Sequence, residues 1–181
     1  MASVFGHAAL ALGIRSWFPR SQGLGIILLG VILSFLPDAD IIAFDFGIPY
    51  GHVLGHRGLS HSIFFALVFT YLFTWILRRF EVIKPQYFTI TFIYFFICMG
   101  THGILDAMTT GGKGVAFFAP FYNERMFWPW RVIQVSPIGA GHFFSKWGVA
   151  VIKSEAFWIG IPSLIIYVLG FVFRKFRSTS Q

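Results

Sequence analysis

Apolar residues run along the chain in long blocks separated by short polar stretches. Four blocks, at 24–42, 61–77, 87–106 and 157–173, are long enough, or nearly so, to cross the ~30 Å hydrocarbon layer as helices. A fifth, at 2–14, reaches only ~20 Å at about 1.5 Å per residue, which makes it a half-span or a tilted, partly embedded helix. It lacks the basic leading region and the cleavage site of a signal peptide, so it is expected to stay in the mature protein. Regular repeats and low-complexity tracts are absent. The pattern predicts an all-α, polytopic integral membrane bundle of four transmembrane helices plus a short N-terminal half-span helix, forming one domain over 1–181.

Composition narrows the picture further. Hydrophobic residues make up 56% of the 181 positions and charged residues 12%, against about 25% charged in an ordinary soluble domain. So few charges cannot cover the surface of a soluble protein of this size. Disorder, collagen and coiled coil are excluded on the same grounds. Cys98, the single cysteine, lies inside an apolar block and has no intramolecular disulfide partner.

The net charge is +7, from 14 Lys and Arg against 7 Asp and Glu. In a soluble protein such an excess would suggest nucleic acid. Here the cations cluster at the ends of apolar blocks and record orientation instead. Arg15 and Arg20 follow the first segment, Arg78, Arg79 and Lys84 fill the turn between the second and third full spans, and Arg174, Lys175 and Arg177 close the chain. With four full spans these groups share one face, which the positive-inside rule makes cytoplasmic. The remaining cations spread over two longer loops on the other face, at about 37–60 and 109–156. No nucleic-acid partner is expected, and the sequence leaves the oligomeric state open.

The acids and histidines segregate the other way: of 7 acids and 6 histidines, only Glu81 falls on the cytoplasmic face. His102 and Asp106 are four positions apart, so on a helix they share a face and can ligate one metal ion. The simpler alternative is a His–Asp hydrogen bond stitching the helix end. His56 and His61 flank Arg57 in the run His-Arg-Gly-Leu-Ser-His-Ser, where Ser60 or Ser62 can cap the following helix. The guanidinium of Arg57 suits a phosphate or carboxylate; alternatively all three sit among lipid headgroups as interface anchors. Asp38 and Asp40 close the first full span after Pro37, where they either flank a cation or lie in a solvated loop. His7 and Glu155 rank lower, the one as a packing residue in an apolar segment, the other as a helix-start acid.

Taken together, mixed His and Asp donors from several helix ends fit a hard or borderline cation, above all zinc, and their number allows two or three ions. Without a cysteine ligand a closed structural site is disfavoured. An open one keeps a water position for hydrolysis. The motifs of serine hydrolases, nucleotide triphosphatases and dinucleotide enzymes are missing.

The same residues carry a family resemblance. His7, Leu-Pro-Asp-Ala-Asp at 36–40, His-Arg-Gly-Leu-Ser-His-Ser at 56–62 and His-Gly-Ile-Leu-Asp at 102–106 occur in order. They resemble the YdjM-like, LexA-regulated, membrane-bound metal-dependent hydrolases of bacteria and archaea, as do Gly-Gly at 111–112, Ala-Pro-Phe at 119–121 and Ser-Glu at 154–155. That family is distantly similar to zinc-dependent phospholipase C and P1 nuclease. The resemblance implies metal ligands at His7, Asp38, His56, His61, His102, Asp106 and Glu155, with one to three zinc ions, Asp40 as general base and Arg57 steadying a phosphate. One departure is that Asp40 is followed by Ile41, where the family often has a histidine.

These readings predict a zinc-dependent hydrolase of phosphoesters, with membrane lipids as surroundings and a phospholipid as one candidate substrate. It would sit in a prokaryotic cytoplasmic membrane with its site on the periplasmic or extracellular side. Two rivals belong to other classes: a metal or proton transporter built on a His and Asp relay, and a non-catalytic membrane interaction protein with a structural metal.

Overall fold

The structure, a computed structural model, describes residues 1–19 and 23–179. Among them the regular structure is helical, relieved only by two isolated β-bridges, Thr109 with Ile133 and Val115 with Met126. Helix α1 (Val4–Arg15) is capped by Ser3, whose hydroxyl accepts from the Gly6 amide. Helix α2 (Gly23–Phe35) runs into Pro37, and the chain tightens there into a 3-10 helix, Leu36–Phe46, ended by Gly47 in the left-handed region at φ 72°. Proline removes an amide donor and fixes φ, which favours the tighter turn. The expected loop at 37–60 is therefore helical over its first ten positions.

Helix α3 (Ile63–Arg79) starts later than the block at 61–77, because Ser62 is its N-cap and accepts from Phe65 N at 3.0 Å. His61 belongs instead to the short turn Leu59–His61. Helices α3 and α4 (Phe88–Ala107) form a hairpin around the basic turn. After the four-residue α5 (Ala140–Phe143), helix α6 (Lys146–Glu155) passes through a π-turn, Ala156–Gly160, into α7 (Ile161–Thr179). The expected second loop is thus shorter than 109–156. Lys146, Lys153 and Glu155 hide the α6 turns from a hydropathy reading, and Glu155 lies within a continuous helical stretch rather than at a helix start.

Among the described residues three segments are long and apolar enough to cross a membrane: Gly23–Phe46, Pro85–Ala107 and Lys146–Arg177, with Val4–Arg15 as a shorter apolar helix. Helix α3 has 17 residues, about 25 Å of helix, so length alone does not make it a fourth span.

The core forms where α4 meets α1, α2 and α3, around Tyr94, Phe95, Cys98 and Met99. A side chain at Gly30 would sit 2.4 Å from the Tyr94 ring, and one at Gly13 would strike the Ser163 backbone at 2.6 Å. Both glycines therefore let neighbours approach closely, as small residues do between membrane helices. Leu67 and Leu72 of α3 and Leu164 and Leu169 of α7 face outward. The helix directions put Arg78, Arg79 and Arg174 at one end of the bundle. There Arg15 and Arg174 both donate to the Phe18 carbonyl, each at 2.6 Å. Arg20, read with this group, lies outside the described residues. The start of α1, the end of α2, the turn before α3 and the end of α4 meet at the opposite end.

Candidate metal centre

Three elements bring four donors together at that end. Asp38 comes from the first turn of the 3-10 helix, His61 from the turn before α3, and His102 and Asp106 from successive turns of α4. All four side chains are buried. His61 Nε2 and His102 Nε2 are 3.0 Å apart. Asp38 Oδ1 lies 3.5 Å from the first and 3.4 Å from the second, and Asp106 Oδ2 lies 3.6 Å from His61 Nε2. Four ligands around zinc at about 2.0–2.2 Å stand roughly 3.3–3.6 Å from one another. Four of the six edges match that figure to within a few tenths of an ångström and all six lie within 4.8 Å, so the residues fit a divalent ion held in a looser arrangement than a regular tetrahedron.

Hydrogen bonds on the far side of each ring show which nitrogen faces inward. His102 Nδ1 is 2.8 Å from the Ser34 carbonyl, which only accepts, so Nδ1 carries the proton and Nε2 a lone pair. His61 Nδ1 is 3.1 Å from Asp40 Oδ2, with the same consequence. Two lone pairs therefore point at each other across 3.0 Å, an arrangement stable only with a cation or a proton between them. Both oxygens of Asp38 and both nitrogens of His7 are buried without a hydrogen-bond partner. Such orphans are rare and costly unless an ion satisfies them.

The carboxylate of Asp40 is fully engaged. Oδ1 accepts from His56 Nδ1 at 2.6 Å, while Oδ2 accepts from Ser60 Oγ at 2.6 Å and from Arg57 N at 3.1 Å, besides His61. Asp40, His56 and His61 form a second group whose candidate ligand atoms lie within 4.8 Å of one another, sharing His61 with the first. Asp40 thus stands behind the imidazoles as the outer carboxylate that fixes a ligating histidine in place.

Arg57 is wholly buried, with its backbone in the left-handed region at φ 63°, a conformation that turns the side chain inward. Its Nε lies 3.1 Å from Asp106 Oδ2, Nη1 donates to the Gly111 carbonyl at 3.1 Å and Nη2 to Thr109 Oγ1 at 3.1 Å. A side chain at Gly112 would meet Nη1 at 2.6 Å. The glycine pair at 111–112 therefore serves as the cradle of this guanidinium, and Arg57 anchors Asp106 rather than presenting its fork at the surface.

The other expected ligands take different places. His7 stacks on His102 with ring centroids 3.9 Å apart, and its Nε2 lies 3.5 Å from Asp106 Oδ1, at the border of the cluster. Glu155 belongs to neither group of donors. Its carboxylate accepts from the amide and hydroxyl of Ser3 and so fastens the start of α1 to α6. That pair of hydrogen bonds accounts for a buried acid within a helix. Ala2 N, which donates to Asp106 Oδ1 at 2.6 Å, and the Ser34 carbonyl are contributors that no side-chain motif could show.

The YdjM inner membrane protein family matches residues 1–177. The chain belongs to the YdjM family. It is 37% identical over 175 residues to the inner membrane protein YbcI of Escherichia coli K12, covering 92% of this chain and 95% of that protein. No solved structure matches it. Family membership and the apolar helices together make the chain an integral inner membrane protein, and its buried His/Asp cluster is one that can hold a metal ion.

In this YdjM-family protein the outer role of Asp40 has a measurable signature. Asp40→Asn keeps the shape but weakens the acceptor facing His56 and His61. If the cluster holds a divalent metal, affinity for it, measured by competition with a chromophoric chelator, is expected to fall about 10–100-fold without loss of the fold. An unchanged affinity would mean that the His61 ring is held by packing alone.

Proposed function

We propose that this protein is a zinc-dependent hydrolase of phosphoesters working at the outer surface of the cytoplasmic membrane. In this reading α3 is the fourth span, its 17 residues completed by the turns on either side. Four crossings put the basic ends on the cytoplasmic face and the His/Asp cluster on the opposite one. The observation that carries the proposal is the close gathering of two oriented imidazoles and two carboxylates, with both oxygens of Asp38 lacking a hydrogen-bond partner.

Zinc when bound polarises a phosphoryl oxygen and lowers the pKa of water to about 7. The chain's own groups divide the remaining work. His61 and His102 present Nε2 with their tautomers fixed by Asp40 and the Ser34 carbonyl. Asp106 is held by Arg57 and Ala2 N. Asp38 has both oxygens free of hydrogen bonds, so one faces the imidazoles while the other can take a proton from an attacking water. It is better placed for general-base work than the saturated Asp40. Arg57 acts by fixing Asp106 instead of touching a phosphate. A transport relay would need titratable groups through the depth of the bilayer, whereas the described acids and histidines other than Glu81 gather at the site end.

The test is metal analysis of the purified protein together with turnover of bis(4-nitrophenyl) phosphate. Zinc bound to each chain and ester cleavage lost on chelation are expected. A protein that binds no divalent metal, or whose ester cleavage survives chelation unchanged, overturns the proposal.

A further inference from the structure

Beside the cluster lies an apolar groove of about 340 Å³, walled by Met1, Val4, Phe5, Ile41, Pro137 and Phe143, within the range of ordinary ligand sites. Its position is tied to the metal centre at two points. Met1 holds Ser136 N through its carbonyl at 2.9 Å, and the next residue, Ala2, donates to Asp106. Ile41 directly follows Asp40. The side chains of Asp38 and Asp40 are 7% and 8% exposed, whereas those of His61, His102 and Asp106 are fully covered.

Apart from the α-amine of Met1, at the end nearest Asp106, the lining offers little to a polar ligand. Its two hydroxyls are already used, Ser3 Oγ on Glu155 and Ser136 Oγ on the Pro137 carbonyl. Sugars and nucleotides would therefore lose hydrogen bonds to water without replacement. The rim is apolar as well, with Phe5 and Phe144 of α5's edge 64% and 87% exposed, so the groove continues into the surface that α1 turns toward lipid. A site whose polar end is a His/Asp cluster that on the hydrolase reading holds zinc, and whose other end is a dry slot, matches one kind of molecule: an anionic head joined to an alkyl chain.

We infer that the groove between the first turn of α1, Ile41 and Phe143 holds an acyl chain of a phospholipid whose phosphate lies at the His/Asp cluster. The inference deepens the hydrolase reading by naming the substrate class, and it rests on that reading for the position of the head.

Photolabelling tests it independently of turnover. The zinc-loaded protein is placed in vesicles of phosphatidylethanolamine and phosphatidylglycerol containing a phosphatidylglycerol analogue with a diazirine on one acyl chain. After irradiation the labelled peptides are mapped by mass spectrometry. Labelling at 1–5 and 136–144 should exceed that on the outward face of α3. Val4→Trp, which fills the groove, should lower it about tenfold, roughly what losing contact with two methylene groups costs. Zinc content and cleavage of bis(4-nitrophenyl) phosphate should stay at the wild-type level. Pro137→Trp fills the opposite wall and serves if Val4→Trp fails to retain zinc. Groove labelling no higher than on α3, or unchanged in the folded variant, overturns the inference. If the groove labels and responds to the variants while the wild type neither binds zinc nor cleaves the ester, the chain-binding site stands and the hydrolase reading falls.

Discussion

His102→Ala is expected to leave the protein inserted in the membrane yet strip it of zinc and bring phosphodiester cleavage down to background. The imidazole is fully buried, with one nitrogen on the Ser34 carbonyl and the other 3.0 Å from its counterpart on His61. Its removal takes away one corner of the cluster and leaves the remaining donors with no nitrogen opposite His61. Loss of an outer partner weakens a metal site about 10–100-fold, and a lost ligand should exceed that. The Ser34 carbonyl loses its donor at the same time, which costs about 1–3 kcal/mol, a burden a bundle of this size can bear. Zinc quantified per chain and turnover of a chromogenic diester are the two readouts. Retention of both would show that the cluster around His102 is not where chemistry occurs.

Arg57→Met should produce the largest change in stability. The guanidinium and Asp106 form an ion pair without solvent contact, 3.1 Å apart. Breaking a buried pair by removing one partner costs about 3–5 kcal/mol, because the other charge stays buried and uncompensated. The thermal midpoint in detergent should fall sharply. Arg57→Lys should recover little, since an ammonium cannot reach the Gly111 carbonyl and the Thr109 hydroxyl with the same planar fork. Arg57→Met combined with Asp106→Leu should regain much of the loss while remaining unable to hold metal normally. A midpoint unmoved by Arg57→Met would place the anchoring of Asp106 elsewhere.

Much of the architecture is legible in the amino-acid order because lipid imposes a simple rule: backbone groups must be satisfied within helices, so apolar length translates directly into elements. The short apolar first helix, the basic turn after α3 and the end of α4 all lie where hydropathy puts them. Helix α6 is hidden for the converse reason, since two lysines and a glutamate lower its apolarity while hydrogen bonds that hydropathy ignores hold Glu155. The donor types at the site are readable as well, because acids and histidines crowded at one end of a bundle have few other uses. Their division of labour is not. Asp38 and Asp40 are two positions apart and chemically identical, and only the turn of the 3-10 helix sends one to the imidazoles' inner nitrogens and the other behind them. Arg57 looks like a phosphate-binding residue until its left-handed backbone and the glycine pair at 111–112 show where its side chain goes.

The spread of the donors along the chain also sets an order for biogenesis. Asp38 and His61 are synthesised well before His102 and Asp106, and α4 must traverse the bilayer before its last turns can meet the other two. A nascent chain that has produced only the first helices carries half of a coordination sphere and cannot retain an ion. On the proposed metal-dependent reading, acquisition of the ion follows insertion as a closing step, and the ion can stabilise the finished bundle without guiding its early assembly.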